Sequence, residues 1–265
     1  MRLHPLIAEH RERWRSKPGL RAVYDDFHRL MAAHRVPGRT LEIGGGAGHG
    51  EGFLGDAIST DILCAPWLDA VCDAHSLPFR QASLHNIVML DVLHHLAHPA
   101  AFLAEAVRVL RPGGRLVMLE PAITPLSWLV YGFLHHEPVV MGADPLADGA
   151  AAGARDPFDS NQAIATLMFG RHRRRFEAAF PELAIVELRR LSLFAYPLSG
   201  GFQAWSLIPG AAVGPVLRLE AMLEPLLGPL MAFRQLAVLE RRPTGGRNRL
   251  ADARVSATIR SDLPR

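Results

Sequence analysis

Four glycines lie close together after a short apolar segment, residues 40–43, that is predicted to be a strand. They are Gly44, Gly45, Gly46 and Gly48. Glycine lets the backbone take a positive φ, and it lets a ligand approach closely because no Cβ stands in the way. One or two glycines would fit an ordinary tight turn, whereas this cluster indicates a loop that cradles a ligand.

The spacing of these glycines does not match the dinucleotide-binding fingerprint, G-x-G-x-x-G. After Gly44 and Gly46, His49 stands where the third glycine belongs. The same spacing recurs within residues 50–55, but there it lies away from the strand end and opens no clear helix. The phosphate-binding pattern G-x-x-x-x-G-K-[ST] is also absent. A nicotinamide-dependent oxidoreductase is therefore disfavoured, but it stays open as an alternative.

Two aspartates close the next two predicted strands. Asp61 lies 19 residues after Glu42, near the place where a carboxylate binds a ribose diol in nucleotide-binding folds. A carboxylate suits that role because its two oxygens can accept from two adjacent hydroxyls. Asp73 follows in the segment 72–79, where it could accept from an adenine amino group. Either aspartate alone could equally be a helix N-cap or a turn residue.

Strands alternate with helices or loops from residue 38 to residue 120, and the connections are short. This pattern predicts an α/β fold: a doubly wound, mostly parallel, seven-stranded sheet with helices on both faces. Ligands bind outside the carboxyl ends of the strands in such sheets. The predicted strands are 40–43, 57–62, 68–72, 86–90, 115–120, 184–193 and 233–240, and the main helices are 99–110, 161–180 and 213–227, the last broken by Pro215 and Pro225.

The composition also predicts a division of the chain. Residues 1–37 are expected to form a helical segment, and residues 38–242 the main domain, with lid insertions at about 122–160 and 196–230. The polar segment 243–265 is expected to be a disordered tail. The formal net charge is only +3, which favours a solvated enzyme surface over nucleic-acid binding.

Five blocks of sequence together resemble one known family. They are LEIGGGAG at 41–48, Asp61, DAHSLPF at 73–79, NIVMLDVLHHL at 86–96 and EAVRVLRPGGRLVMLEP at 105–121. In this order they resemble the class I S-adenosylmethionine-dependent methyltransferases, specifically the small-molecule (type 11-like) branch, which has a Rossmann-like fold. One stretch departs from the family: residues 49–56 are short and glycine-rich where members usually have a regular helix.

The resemblance implies that S-adenosylmethionine is the cofactor and that residues after the first strand hold its methionine part. Gly44, Gly45 and Gly46 would pass beneath that part of the cofactor. Glu42 would help to position its amino group and the loop.

Residues after the next three strands would hold the rest of the cofactor. By resemblance, Asp61 would bind the ribose hydroxyls, and Asp73 with Ala74 would meet the adenine. Leu90 and Asp91 would border the end of the cofactor that reacts.

Histidines offer the candidate catalytic groups. His94 and His95 follow the fourth strand, where a base could reach the methyl group, and both could instead be structural loop residues. His135-His136-Glu137 invites a metal interpretation, but adjacent histidines point in different directions and no further ligand stands at helical spacing. No metal is therefore expected.

The two insertions are expected to build the acceptor site, because they hold a group of aromatic side chains: Trp128, Tyr131, Phe133, Tyr196, Phe202 and Trp205. We therefore predict a cytoplasmic enzyme that methylates a small, partly apolar acceptor and binds no nucleic acid. Peripheral contact with a membrane through residues 226–231 has weak support. A cofactor-binding scaffold without catalysis stays open, and so does an RNA methyltransferase, for which the Arg171–Arg175 cluster is the one supporting feature.

Overall fold

The centre of the fold is a seven-stranded sheet in a computed structural model that describes residues 3–134, 137–147 and 156–243. Its strands are β1 (Thr40–Ile43), β2 (Ile58–Asp61), β3 (Ala70–Val71), β4 (Leu84–Leu90), β5 (Leu110–Pro121), β6 (Leu183–Leu191) and β7 (Arg234–Arg241). Their order is β3-β2-β1-β4-β5-β7-β6, and only β7 runs antiparallel to its neighbours. The predicted doubly wound, mostly parallel sheet is confirmed.

Helices cover both faces of this sheet. They are α1 (Pro5–Ser16), α2 (Pro18–Ala33), α3 (Pro99–Val109), α4 (Pro125–Leu134), α5 (Ile164–Phe169), α6 (Arg173–Ala179), α7 (Ala195–Ser199) and α8 (Gly210–Met231), with a 3₁₀ turn at Leu93–His95. Successive side chains of β5 alternate between the faces. Met118 enters the core cluster that contains Phe102 of α3, whereas Leu119 enters the cluster that contains Phe27 of α2.

The N-terminal helical segment is divided into two helices. Lys17 lies between them with an extended backbone, and Pro18 is the first residue of α2. Proline suits that position because its missing N–H would have no partner within the helix. Helix α2 then packs against α8, α7 and β5, so it forms part of the layer that covers one face of the sheet.

Two predictions about helices are wrong. Helix α8 is not broken: it runs over 22 residues with Pro215, Pro225 and Pro229 inside it. All three prolines are exposed, so each ring has room and the unpaired carbonyl faces water. The predicted helix over 161–180 is instead two short helices, α5 and α6, separated at Gly170.

Other predicted boundaries change by a few residues. Strand β5 begins five residues early, and 111–114 form a bulge within it, since Leu84 pairs with Leu110 and Asn86 with Arg115. Strand β3 keeps only two residues. Helix α4 lies within the segment 122–160 that is predicted to be a lid insertion.

The division into a main domain with two insertions stays a prediction. Nearly all of the predicted tail, as well as His135 and His136, falls outside the described residues. None of the helices in the described ranges combines the length and the hydropathy that crossing a membrane requires.

Candidate functional site

A cavity of about 770 Å³ opens at the carboxyl ends of β1 and β4. These strands are the neighbours at which the strand order reverses, which is the usual ligand site of an open α/β sheet. The cavity brings together all the residues that the sequence singled out for cofactor binding or catalysis: Glu42, Gly44, Gly45, Gly46, Asp61, Asp73, Ala74, Leu90, Asp91, His94 and His95.

The glycine loop needs its glycines at specific points. Gly44 has φ 77°, and a Cβ there would overlap the side chain of Val92. A Cβ at Gly45 would overlap Ser59 Oγ. The loop therefore lies directly against β2 and the segment after β4, and a larger residue at either position would push it away.

Glu42 is positioned from β2. Ser59 Oγ donates to Glu42 Oε2 at 2.5 Å, and burial raises the pKa of the Glu42 carboxyl. The other oxygen faces Gly50, where a Cβ would overlap it. Glycines in the irregular segment after the loop thus make room for this carboxylate.

Asp61 connects the glycine loop to β2. Its Oδ2 accepts from the Gly46 N–H at 2.9 Å, and its Oδ1 accepts from the Leu63 N–H at 2.8 Å. Burial raises the pKa of Asp61, and these backbone hydrogen bonds oppose the rise. Asp73 differs: its Oδ1 accepts from the backbone N–H of His75 and lies 2.7 Å from His75 Nδ1, at a half-exposed position.

Helix α1 contacts the glycine loop from outside the sheet. Arg11 Nη1 donates to the Ala47 carbonyl at 2.7 Å, and the same guanidinium lies over the Trp67 ring. Trp67 Nε1 donates to the Gly46 carbonyl at 2.9 Å. Ile7 and His10 of α1 also line the cavity. Apolar residues at helical spacing predicted a helix in this segment, but no local signal indicated that it covers the site.

Asp91 takes a left-handed conformation at the end of β4, with φ 58°. It forms an ion pair with the buried Arg234 of β7, and the Tyr24 hydroxyl donates to its Oδ2 at 3.4 Å. Burial raises the pKa of Asp91, although the Arg234 charge opposes this. The Arg234 guanidinium also lies 4.2 Å from the centre of the Tyr196 ring.

His94 stands between two carboxylates. Its Nδ1 is 2.7 Å from Glu120 Oε2, and its Nε2 is 3.6 Å from Glu137 Oε2. Burial alone would lower the pKa of His94, but the hydrogen bonds to Glu120 and Glu137 raise it to about 9. His94 is therefore a cation at neutral pH.

Glu120 organises the whole segment after β4. Its Oε1 accepts from the Val92 N–H at 2.9 Å and from the Leu93 N–H at 2.8 Å. Sequence reasoning did not identify Glu120 as a site residue. Its position could have indicated a role, because Glu120 is an acidic residue at the carboxyl end of an apolar strand.

The pKa of His95 is shifted in the opposite direction to that of His94. Burial and the nearby His94 charge lower its pKa to about 4, so it is neutral at neutral pH. Its Nδ1 is 3.3 Å from the Asp159 carbonyl oxygen. His94, His95 and Glu137 also place one ligand atom each within 4.8 Å of one another, a spacing that could hold a metal ion. The expected absence of a metal stays a prediction.

The aromatic residues of the insertions divide into two groups. Tyr131, Tyr196 and Phe202 line the cavity, while Trp128, Phe133 and Trp205 are exposed. The three exposed side chains do not line the cavity, and the role of the two insertions in acceptor binding stays a prediction. Phe133 and Tyr131 are two residues apart on α4, so helical periodicity turns their side chains to opposite sides of the helix.

Comparison with known proteins gives a match to the family described as "Methyltransferase domain" over residues 59–118. A ubiquinone/menaquinone biosynthesis C-methyltransferase, UbiE, of Bordetella parapertussis is 33% identical over 123 residues, covering 38% of this chain and 48% of the relative. The phthiotriol/phenolphthiotriol dimycocerosates methyltransferase of Mycobacterium leprae is 35% identical over 131 residues, covering 42% and 48%. The chain therefore spans about half the length of these curated relatives.

Solved structures of similar shape include the geranyl diphosphate C-methyltransferase from Streptomyces coelicolor. Its TM-score is 0.45 at 12% identity, with 82% of this chain and 77% of that chain covered.

Proposed function

We propose that the chain is a class I S-adenosylmethionine-dependent methyltransferase that transfers a methyl group from that cofactor to a small, partly apolar acceptor. One observation carries the proposal. A single cavity extends from the glycine loop to a cluster of buried charged and aromatic groups around Asp91, and it is large enough for two ligands to meet.

The glycine-loop end of the cavity would hold the cofactor. Gly44 to Gly46 would lie beneath its methionine part, with Glu42 near the amino group. Asp61 would meet the ribose through oxygen lone pairs that remain after its two backbone hydrogen bonds.

The adenine would lie further along the same edge of the sheet. Asp73 and Ala74 follow β3 and line the cavity there, while Leu90 and Asp91 lie at the end of β4. In this order the reacting sulfonium would lie beside Asp91.

The acceptor would occupy the other end. Leu96, Tyr131, Phe158 and Tyr196 line the cavity there, so its walls are partly apolar. The Asp91–Arg234 and His94–Glu137 pairs add a few charged groups among them. Such a lining favours an acceptor with an apolar body and one polar function. Similarity to a ubiquinone/menaquinone biosynthesis C-methyltransferase and to a phthiotriol/phenolphthiotriol dimycocerosates methyltransferase supports such an acceptor.

Methyl transfer from a sulfonium is an in-line displacement that depends mainly on alignment and on the exclusion of water. A base is needed only if the nucleophile must lose a proton. His94 is unsuited to that role because it is already protonated between its two carboxylates. His95 is neutral and lines the cavity, so we assign it as the base where one is required.

Product formation tests this proposal directly. The purified protein would be incubated with radiolabelled S-adenosylmethionine and a panel of phenols, quinols and long-chain alcohols, and labelled product and S-adenosylhomocysteine would be measured. We expect transfer to at least one acceptor. With that acceptor, His95→Asn should lower kcat while leaving cofactor affinity within about twofold. Absence of transfer from a cofactor-loaded protein across the panel would favour the scaffold alternative.

A further inference from the structure

Helix α8 has its polar and apolar sides reversed. Its two carboxylates point inward: Glu220 accepts from the backbone N–H groups of residues 193–195 at 2.7–3.0 Å, and Glu224 binds Arg189 at 2.6 Å. Its outer side carries large apolar residues at helical spacing: Leu219, Met222, Leu226 and Leu230. Met222 and Leu226 are 78% and 76% exposed.

Helix α4, which packs against α8, shows the same reversal. Ser127 and Tyr131 are its buried residues, and both hydroxyls donate to backbone carbonyls. Trp128, Leu129 and Phe133 are exposed, with Phe133 at 75%. Single exposed apolar residues are ordinary, but two neighbouring helices that both turn such residues outward mark an interaction surface.

We propose that these exposed residues of α4 and α8, called here the α4/α8 face, dock the protein onto the surface of a lipid bilayer that contains anionic phospholipid. The exposed residues of the two helices include no aspartate or glutamate. Arg218 is exposed on α8, and Arg190 of β6 lies against Gly228 of the same helix. The charge beside the face is thus positive, which suits anionic headgroups.

Hydrogen-bonding capacity favours a bilayer over a protein partner. A protein interface typically carries about one hydrogen bond per 100–200 Å². The exposed side chains of α4 and α8 offer only the Arg218 guanidinium and the Trp128 indole N–H. Leucine, methionine, phenylalanine and tryptophan beside arginine form the usual composition of a helix that lies in the membrane interface.

The face also lies close to the cavity. Tyr131 lines the cavity from the buried side of α4, while Phe133 stands on the exposed side of the same helix. A helix is about 10 Å across, so docking would bring the cavity wall within that distance of the bilayer. Delivery of an acceptor from the bilayer would rest on the proposed function, whereas docking itself does not.

Vesicle flotation tests the docking. The full chain would be mixed with vesicles of phosphatidylcholine alone and of phosphatidylcholine with phosphatidylglycerol. We expect it to float with the mixed vesicles. Phe133→Glu combined with Leu226→Glu should weaken this binding by about tenfold or more, because two large apolar side chains no longer enter the interface. Arg218→Glu should weaken binding to the mixed vesicles more than to the neutral ones.

Val71→Glu is the matched control, since it places a carboxylate on a half-exposed apolar residue of β3, at the far edge of the sheet from β6 and α8. It should float like the parent protein, and thermal unfolding would show that each variant is folded. The proposal is wrong if the parent protein floats with neither vesicle, or if the double variant floats as well as Val71→Glu. It is also wrong if the parent protein binds no vesicle and forms a dimer that Leu226→Glu dissociates. The α4/α8 face would then be the contact with a second copy of the chain. If the parent protein bound no S-adenosylmethionine, the proposed function would be wrong, but the flotation result would still hold.

Discussion

His94 Nδ1 lies 2.7 Å from Glu120 Oε2, and both side chains are almost completely buried. The pair joins β5 to the segment after β4, because Glu120 also accepts the backbone N–H groups of Val92 and Leu93. The relationship fixes the part of the cavity wall on which His94 and His95 stand, and it determines which of the two histidines is charged.

Glu120→Gln should lower the free energy of unfolding by about 3 kcal/mol, because it leaves a buried imidazolium without its main partner. Chemical denaturation would measure the change. Glu240→Gln is the control: Glu240 binds Arg115 at 3.2 Å, but both side chains are about a third exposed. It should therefore cost less than about 1 kcal/mol. If both variants lowered the free energy of unfolding equally, the Glu120–His94 pair would stabilise the fold no more than an exposed ion pair does.

His94 should make stability depend on pH on the alkaline side. Its pKa is about 9 in the folded protein and ordinarily 6.5, so its contribution is complete below about pH 6.5 and is lost as the pH rises through about 9. The free energy of unfolding should thus fall across this range. His94→Asn should remove that part of the decline, measured as the difference between the two denaturation profiles. Parallel profiles would contradict a raised pKa at His94.

Arg234 and Asp91 should behave as one coupled unit. Arg234→Gln alone should cost about 2 kcal/mol, since Asp91, which is 24% exposed, would stay in the cavity wall without its cation. Combining it with Asp91→Asn should cost less than the sum of the two single changes, because the double variant leaves no unpaired charge. Urea denaturation of all four proteins gives the coupling free energy. Strict additivity would mean that the ion pair is not formed in solution.

Gly44→Ala should weaken binding of S-adenosylhomocysteine by about tenfold or more, because φ is positive there and a Cβ would overlap Val92. Gly52→Ala is the matched control. Gly52 also has a positive φ, 88°, but a Cβ there meets no atom within 4 Å. Gly52→Ala should lower the free energy of unfolding, because alanine disfavours a positive φ, but it should leave the affinity for S-adenosylhomocysteine nearly unchanged. An equal loss of affinity in both variants would point to backbone strain rather than contact with Val92.

Much of the fold could be predicted from the sequence, because short apolar strands, glycine loops and helix stops are local signals. The seven-stranded, mostly parallel sheet and the residues at the ends of β1 to β4 belong to this part. The continuity of α8 could not be predicted, since it depends on whether Pro215, Pro225 and Pro229 face solvent, and that is decided by packing.

The partners of the charged residues in the site could not be predicted from local sequence signals either. Arg234 meets Asp91 from a strand 143 residues away, and Tyr24 reaches the same carboxylate from α2. Such pairs arise only from the arrangement of the sheet and its covering helices. The sequence identified His94 and His95 together, but the opposite shifts of their pKa values follow from Glu120, Glu137 and burial.

Calorimetric titration with S-adenosylmethionine, S-adenosylhomocysteine and NADH tests most directly whether the cavity holds S-adenosylmethionine. We predict saturable binding of the two sulfur ligands and none of NADH. Asp61→Ala should weaken that binding by about tenfold or more, because the residue supports the glycine loop and faces the cavity. Asp69→Ala should not, since Asp69 accepts the Ser59 N–H outside the cavity lining. Binding of NADH in place of the sulfur ligands, or no binding by a folded protein, would contradict the account.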